Sequence, residues 1–144
     1  MAAVYIDTSA LAKWYLNENR SDDFETWIID QEDACISTLT ATELRCLLAR
    51  RRRNGELTSA LEREIFSNFE LDIQHNHLRL YPVIDQHVKG AINLMEALAD
   101  VSLRTLDAIH LNIATDLAVV QLATADRVMM QAALRMGLQV ERFD

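Results

Sequence analysis

Two stretches decide the reading of this chain: AVYIDTSALAKWYL, residues 3–16, and VVQLATADRVMMQAAL, residues 119–134. In each, a short aliphatic and β-branched run stops at a small turn bearing an aspartate, Asp7 in one and Asp126 in the other. A helical pattern begins at once. The strand at 4–6 leads to Leu11, Trp14 and Tyr15 at helical spacing, and the strand at 119–124 leads to a helix over 127–136 ending at Gly137. Strand, tight acidic turn and helix form the repeating unit of a parallel α/β protein.

The rest of the chain repeats this unit. A helix near Ser21-Asp22-Asp23 carries Phe24, Trp27 and Ile28 on one face. ACIST (34–38) predicts a second strand running into TLTATELRCLLARRRRNG, a helix stopped by Asn54-Gly55. Leu57, Leu61, Ile65 and Phe69 recur every four residues and predict a long helix, paired with its predecessor as a hairpin. LRLYPV (78–83) is a third strand, terminated by the only proline. Residues 85–99 and 105–117 read as helices, the second with a stripe of Leu106, Ile109, Ile113 and Leu117, and LQVERF supplies a fifth strand. The expectation is one domain over 1–144, a three-layer α/β/α sandwich with a parallel sheet of four to five strands. In such open sheets, sites form beyond the carboxyl ends of the strands, so Asp7 and Asp126 would share one edge.

Composition bounds the function. A chain of 144 residues, half of them hydrophobic, can bury a core and is not a disordered tail. Three glycines and one proline exclude long flexible linkers. No apolar run has the length of a membrane span, and the N-terminal stretch lacks the basic region of a signal peptide, which predicts a cytoplasmic protein. Cys35 and Cys46 show no C-x-x-C spacing and read as small buried hydrophobes. The formal charge of −8 opposes nucleic-acid binding by bulk charge, yet Arg45 and Arg50–Arg53 gather on one segment.

Each acid has a bland role available. Asp7-Thr8-Ser9 and Thr124-Ala125-Asp126 suit helix caps, Thr40-x-x-Glu43 suits a capping box, and Asp107 suits a helix's first turn. As a set they read differently. Asp7, Glu43 and Asp126 each follow a strand end closely, and Asp107 lies beside a stripe rich in Leu, Ile and Ala. Carboxylates converging on one edge repel one another unless a cation neutralises them. Oxygen-only ligands suit Mg²⁺ or Mn²⁺, ions that serve phosphodiester chemistry, with Thr8, Ser9 and Thr124 available to orient the ligands.

His110, three residues past Asp107, either approaches the acidic site or is a half-buried structural histidine, the favoured reading, and His75 and His77 read as surface residues. Arg45, two residues past Glu43, is the candidate for touching substrate or a partner, with Lys13 a weaker one. The arginine run at 50–53 either complements the helix dipole or contacts a nucleic-acid backbone.

YIDTSAL, STLTATEL, RTLDAIHLNIA and LATADRVMMQAALRMG, in this order over the full length, resemble PIN domains, particularly the VapC-like toxins of bacterial toxin–antitoxin pairs. The resemblance implies an α/β/α fold and a Mg²⁺- or Mn²⁺-dependent endoribonuclease. It places Asp7, Glu43, Asp107 and Asp126 in the acidic metal site, with Thr124 and Ser9 as polar helpers. A water positioned by Asp7, Asp107 and Asp126 would attack phosphorus while Glu43 holds metal or orients that water, leaving 5′-phosphate and 3′-hydroxyl ends. The resemblance also implies a homodimer and a cognate antitoxin, for which the hairpin residues Leu47, Leu48, Leu61, Ile65, Phe66 and Phe69 offer apolar surface. The arginine run lies outside the family pattern. The alternative is a catalytically silent PIN scaffold that binds RNA or a protein, against which the intact acidic set argues. DNA stands as another substrate, since metal-assisted hydrolysis does not require a 2′-hydroxyl. A phosphoryl-accepting receiver domain is disfavoured because no lysine follows Lys89.

Overall fold

The computed structural model describes residues 3–144. Its first half runs β1 (Val4–Ile6), α1 (Thr8–Tyr15), α2 (Ser21–Ile29), β2 (Ala34–Ser37), α3 (Thr38–Arg53) and α4 (Ser59–Gln74). The second runs β3 (Arg79–Tyr81), α5 (Asp85–Ala97), α6 (Thr105–Asp116), β4 (Gln121–Thr124), α7 (Arg127–Arg135) and β5 (Gln139–Arg142). The strands form one five-stranded sheet in the order β3-β2-β1-β4-β5, every pairing parallel.

This order follows from handedness. The chain steps from β1 through β2 to β3 in one direction, then crosses to β4 and β5 in the other. Right-handed crossovers therefore place α1–α4 on one face and α5–α7 on the opposite face. The strand residues divide accordingly, with period two. Val4, Ile6, Ala34, Ile36 and Ala123 join the core with Leu11, Phe24, Leu44, Ile65 and Phe69. Tyr5, Cys35 and Leu122 join the other core with Ile109, Ile113, Met129 and Ala132. The three-layer α/β/α sandwich is the observed architecture. The reversal of direction falls between β1 and β4, where an open sheet leaves a crevice at its carboxyl edge.

Several local expectations change. β1 falls where expected, whereas β2, β3, β4 and β5 are shorter than read, β3 the most, at Arg79–Tyr81. The capping box at the start of α3 joins Ser37 and Thr40, each side chain accepting the other's backbone N–H at 3.4 and 3.2 Å. It does not join Thr40 to Glu43, because β2 ends at Ser37 and the helix begins one turn before that box would. Glu43 therefore sits in the second turn, with no capping duty.

Of the stripe expected for α4, Ile65 and Phe69 are buried and Leu57, just before the helix, packs against the core, but Leu61 does not. Leu61 is 41% exposed, and the buried face carries Glu62, Ile65 and Phe69. Glu62 tolerates burial because Arg45 and Arg52 of α3 reach it at 3.1 and 2.8 Å. Leu106, read as part of the α6 stripe, is 44% exposed. Cys35 is buried as expected, whereas Cys46 is exposed. Leu48, Ile65 and Phe69 of the hairpin are consumed by the core, with Leu47 and Phe66 packed partly against it. No helix among the described residues is long and apolar enough to cross a membrane.

Candidate active site

Asp7 closes β1 and opens α1. Its side chain accepts the backbone N–H of Ala10 at 3.1 Å, so the capping role is real. The same carboxylate is buried and tightly held: Ser9 Oγ donates to Oδ1 at 2.6 Å and Thr124 Oγ1 donates to Oδ2 at 2.6 Å. Burial raises its pKa above the ordinary aspartate value, against the pull of these two hydroxyls. Thr124 is supplied by the end of β4, which pairs with β1, and its hydroxyl accepts the N–H of Asp126 at 3.0 Å. Ser9 Oγ accepts the N–H of Ala125 at 2.9 Å, tying the two turns together.

Asp126 caps α7 in the same way, Oδ1 accepting from the N–H groups of Val128 and Met129 at 2.8 and 3.2 Å. Asp107, in the first turn of α6, is buried and accepts the Arg104 N–H at 3.2 Å. Between the two lies a group that sequence reasoning missed. Arg104 Nε reaches Asp107 Oδ2 at 3.2 Å and its Nη2 reaches Asp126 Oδ2 at 3.1 Å. The Arg-x-x-Asp spacing was the only available signal.

Glu43 projects from the second turn of α3. Its Oε1 accepts from Thr8 Oγ1 at 2.7 Å and from His110 Nε2. Burial pushes its pKa up, but the His110 hydrogen bond and charge, Thr8 and Arg104 together hold the carboxyl below the usual glutamate range. His110 is thus more than the half-buried structural histidine expected: it is buried, lines the cavity and contacts one of the four acids.

The four acids line one open cavity of about 580 Å³. Its rim is basic: Lys13, Arg50, Arg51 and Arg104 face it, and Ala12, Cys46, Leu47 and Leu106 form an apolar wall. Lys13 and Arg51 are engaged by Glu18, at 3.6 and 2.6 Å, while Arg50 makes no ion pair among the described residues. Arg45 lies outside the lining, paired with Glu62 and stacked over Phe66. Arg52 shares that pairing, so the arginine run splits between hairpin and cavity.

The family model for the PIN domain matches residues 4–134. This chain belongs to the PIN-domain family. It is 34% identical over 112 residues to ribonuclease VapC47 of Mycobacterium tuberculosis, covering 75% of this chain and 71% of the relative. It is 33% identical over 143 residues to ribonuclease VapC46 of the same species, covering 97% of both. Its fold matches DNA-bound VapBC from Salmonella typhimurium with a TM-score of 0.71 over the whole of both chains, at 16% identity. It is a VapC-like PIN domain.

The donor set of this PIN domain suits a hard divalent cation. The acids offer oxygen only, and a guanidinium already lies between Asp107 and Asp126, where positive charge is favoured. Among the described residues no three or more His, Cys, Asp or Glu side chains stand where they could hold a metal ion together, so convergence is looser than the sequence suggested. Mg²⁺ does not need three protein ligands. It keeps several waters and takes one or two carboxylates together with substrate phosphates.

Proposed function

We propose that this chain is the endoribonuclease toxin of a toxin–antitoxin pair, hydrolysing RNA phosphodiester bonds with Mg²⁺ or Mn²⁺ in the cytoplasm. The observation that carries the reading is the convergence of Asp7, Glu43, Asp107 and Asp126, from four separate elements, on one basic-rimmed cavity. The ribonuclease names of two relatives at about a third identity support the activity, and the VapBC assembly of a structural neighbour supports an antitoxin partner.

Asp7, Asp107 and Asp126 would hold the ion, with Glu43 beside them. When bound, the ion supplies Lewis acidity that readies the attacking water and offsets charge on the leaving oxygen. The chain's own groups do the rest. Ser9 and Thr124 fix both oxygens of Asp7, so that carboxylate would be held in place for the ion. Arg50 and Arg104 face the phosphates that flank the cut, where a local positive rim counters the overall charge of −8. Water adds to phosphorus as the P–O3′ bond breaks, giving a 5′-phosphate and a 3′-hydroxyl. Glu43, held by Thr8 and His110 through Oε1, would orient the water or help hold the ion.

The test is incubation of total cellular RNA with partner-free protein and Mg²⁺ or Mn²⁺. Discrete fragments should appear, and should vanish with EDTA and in Asp107→Asn. Fragments that persist with both, or a folded protein that cuts no RNA, would overturn the proposal.

A further inference from the structure

Behind Glu43 a line of polar groups runs from the sheet interior to the cavity. Tyr5 is fully buried on β1, facing the α5–α7 layer, and its hydroxyl meets Ser37 Oγ at 2.9 Å, Thr40 Oγ1 at 3.3 Å and His110 Nδ1 at 2.7 Å. The other ring nitrogen of His110 meets Glu43 Oε1. Burying a phenol and an imidazole is costly unless both are hydrogen-bonded, and a Phe and a Leu would fill this space without that requirement. The polar choice makes sense if the far end of the line has work to do.

The line delivers a hydrogen to Glu43 whatever the charge on His110. In a neutral ring, Tyr5 O–H donates to Nδ1 and Nε2 carries the hydrogen. In the imidazolium both nitrogens carry one, and Nδ1–H donates to the Tyr5 oxygen. A phenol, with an ordinary pKa of about 10, keeps its hydrogen at neutral pH, so the Tyr5 hydroxyl can fill either role. Nε2–H and Thr8 O–H both end on Oε1, and Oε2 takes no hydrogen bond among the described residues. One oxygen of Glu43 is clamped. The other is left to the cavity.

We propose that Tyr5 and His110 are positioning residues, a two-residue strut that fixes the carboxylate of Glu43 so that Oε2 is presented to a divalent cation in the cavity. The inference rests on the metal-dependent reading above. Groups that orient a metal's carboxylate from behind typically change metal affinity or activity by about 10–100-fold when removed.

The experiment is Mn²⁺ titration of the full chain, without RNA, in the wild type, Tyr5→Phe, His110→Gln, His110→Leu and the Tyr5→Phe/His110→Leu double variant. His110→Leu should weaken binding by about 10–100-fold. His110→Gln, which keeps a side-chain N–H near the place of Nε2, should recover much of that loss. Tyr5→Phe should weaken binding by a smaller factor and add nothing to His110→Leu, since both act through one strut. Near-ultraviolet circular dichroism checks the fold. Tyr5→Phe preserves the ring and serves as the test if His110→Leu does not fold. Wild type and folded variants of equal Mn²⁺ affinity would overturn the strut alone. A wild type that takes up no Mn²⁺ would overturn the metal-dependent reading and the strut with it.

Discussion

The Arg104 guanidinium bridges Asp107 and Asp126, with Nε 3.2 Å from one carboxylate and Nη2 3.1 Å from the other. The two acids belong to the first turn of α6 and the cap of α7, so a single cation joins two helix starts. Any divalent ion at these carboxylates meets Arg104 as a competitor in the free protein. On the proposed reading, the same guanidinium turns to a phosphate when RNA binds.

Arg104→Gln is therefore expected to separate metal binding from cleavage. The Arg104 side chain is 76% exposed, and each of its two pairs contributes about 1 kcal/mol or less, so Mn²⁺ affinity should rise by no more than about 30-fold. Cleavage should fall, through a weaker hold on RNA. Calorimetric titration and a cleavage assay on the same preparation would check both directions.

Asp7 caps α1 and is also buried with a raised pKa, so its two roles can be pulled apart. Asp7→Ala should lower metal-free stability by about 1 kcal/mol through loss of the cap. Asp7→Asn keeps an acceptor for the Ala10 N–H and removes a charge that burial disfavours. Its metal-free stability should match or exceed the wild type. Both variants should lose cleavage. Urea unfolding in EDTA beside an RNA assay distinguishes the four outcomes.

Arg50 lines the cavity and makes no ion pair among the described residues, so on the proposed reading it is the arginine left to meet a phosphate. Arg50→Ala should weaken RNA binding uniformly across sequences and reduce the salt dependence by about one unit of slope. Arg45, held by Glu62, should have a smaller effect on RNA and a larger one on stability. Binding isotherms across a salt series would test the contrast.

Glu62 has its pKa lowered chiefly by the Arg45 hydrogen bond, with Arg52 adding to it. A depressed carboxylate stabilises the fold above its unfolded pKa of about 4.3, and that contribution is lost as pH falls through the lower folded value. The melting temperature of Glu62→Gln should thus lie below that of wild type at pH 7, and the gap should shrink in acid. A gap independent of pH would mean that Glu62 contributes by packing alone.

Much of this was legible in the sequence, for local reasons. A strand of three or four residues followed at once by an aspartate and an amphipathic helix leaves little freedom, so β1–α1 and β4–α7 fall where their patterns place them. Asp7 and Asp126 illustrate why the bland and the chemical readings need not compete: each is a cap, and each lines the cavity. What was not legible depends on partners distant in sequence. Periodicity gave Leu61 to the core of α4, but the buried position belongs to Glu62, because two arginines one helix away satisfy it. The reach of Arg104 to Asp126 spans separate elements, and so does the contact of His110 with Glu43. Neither is a spacing within one helix. Thr40 had two partners at capping distance, Ser37 and Glu43, and only the end of β2 decides between them.

The central claim is that these carboxylates form one divalent-cation site. Its most direct test is anomalous diffraction from crystals of the protein soaked in Mn²⁺. The account predicts a manganese peak in the cavity within coordinating reach of Asp7, Asp107 or Asp126, and loss of that peak in Asp107→Asn. Well-ordered crystals with no manganese in the cavity, or with manganese only elsewhere on the chain, would contradict it.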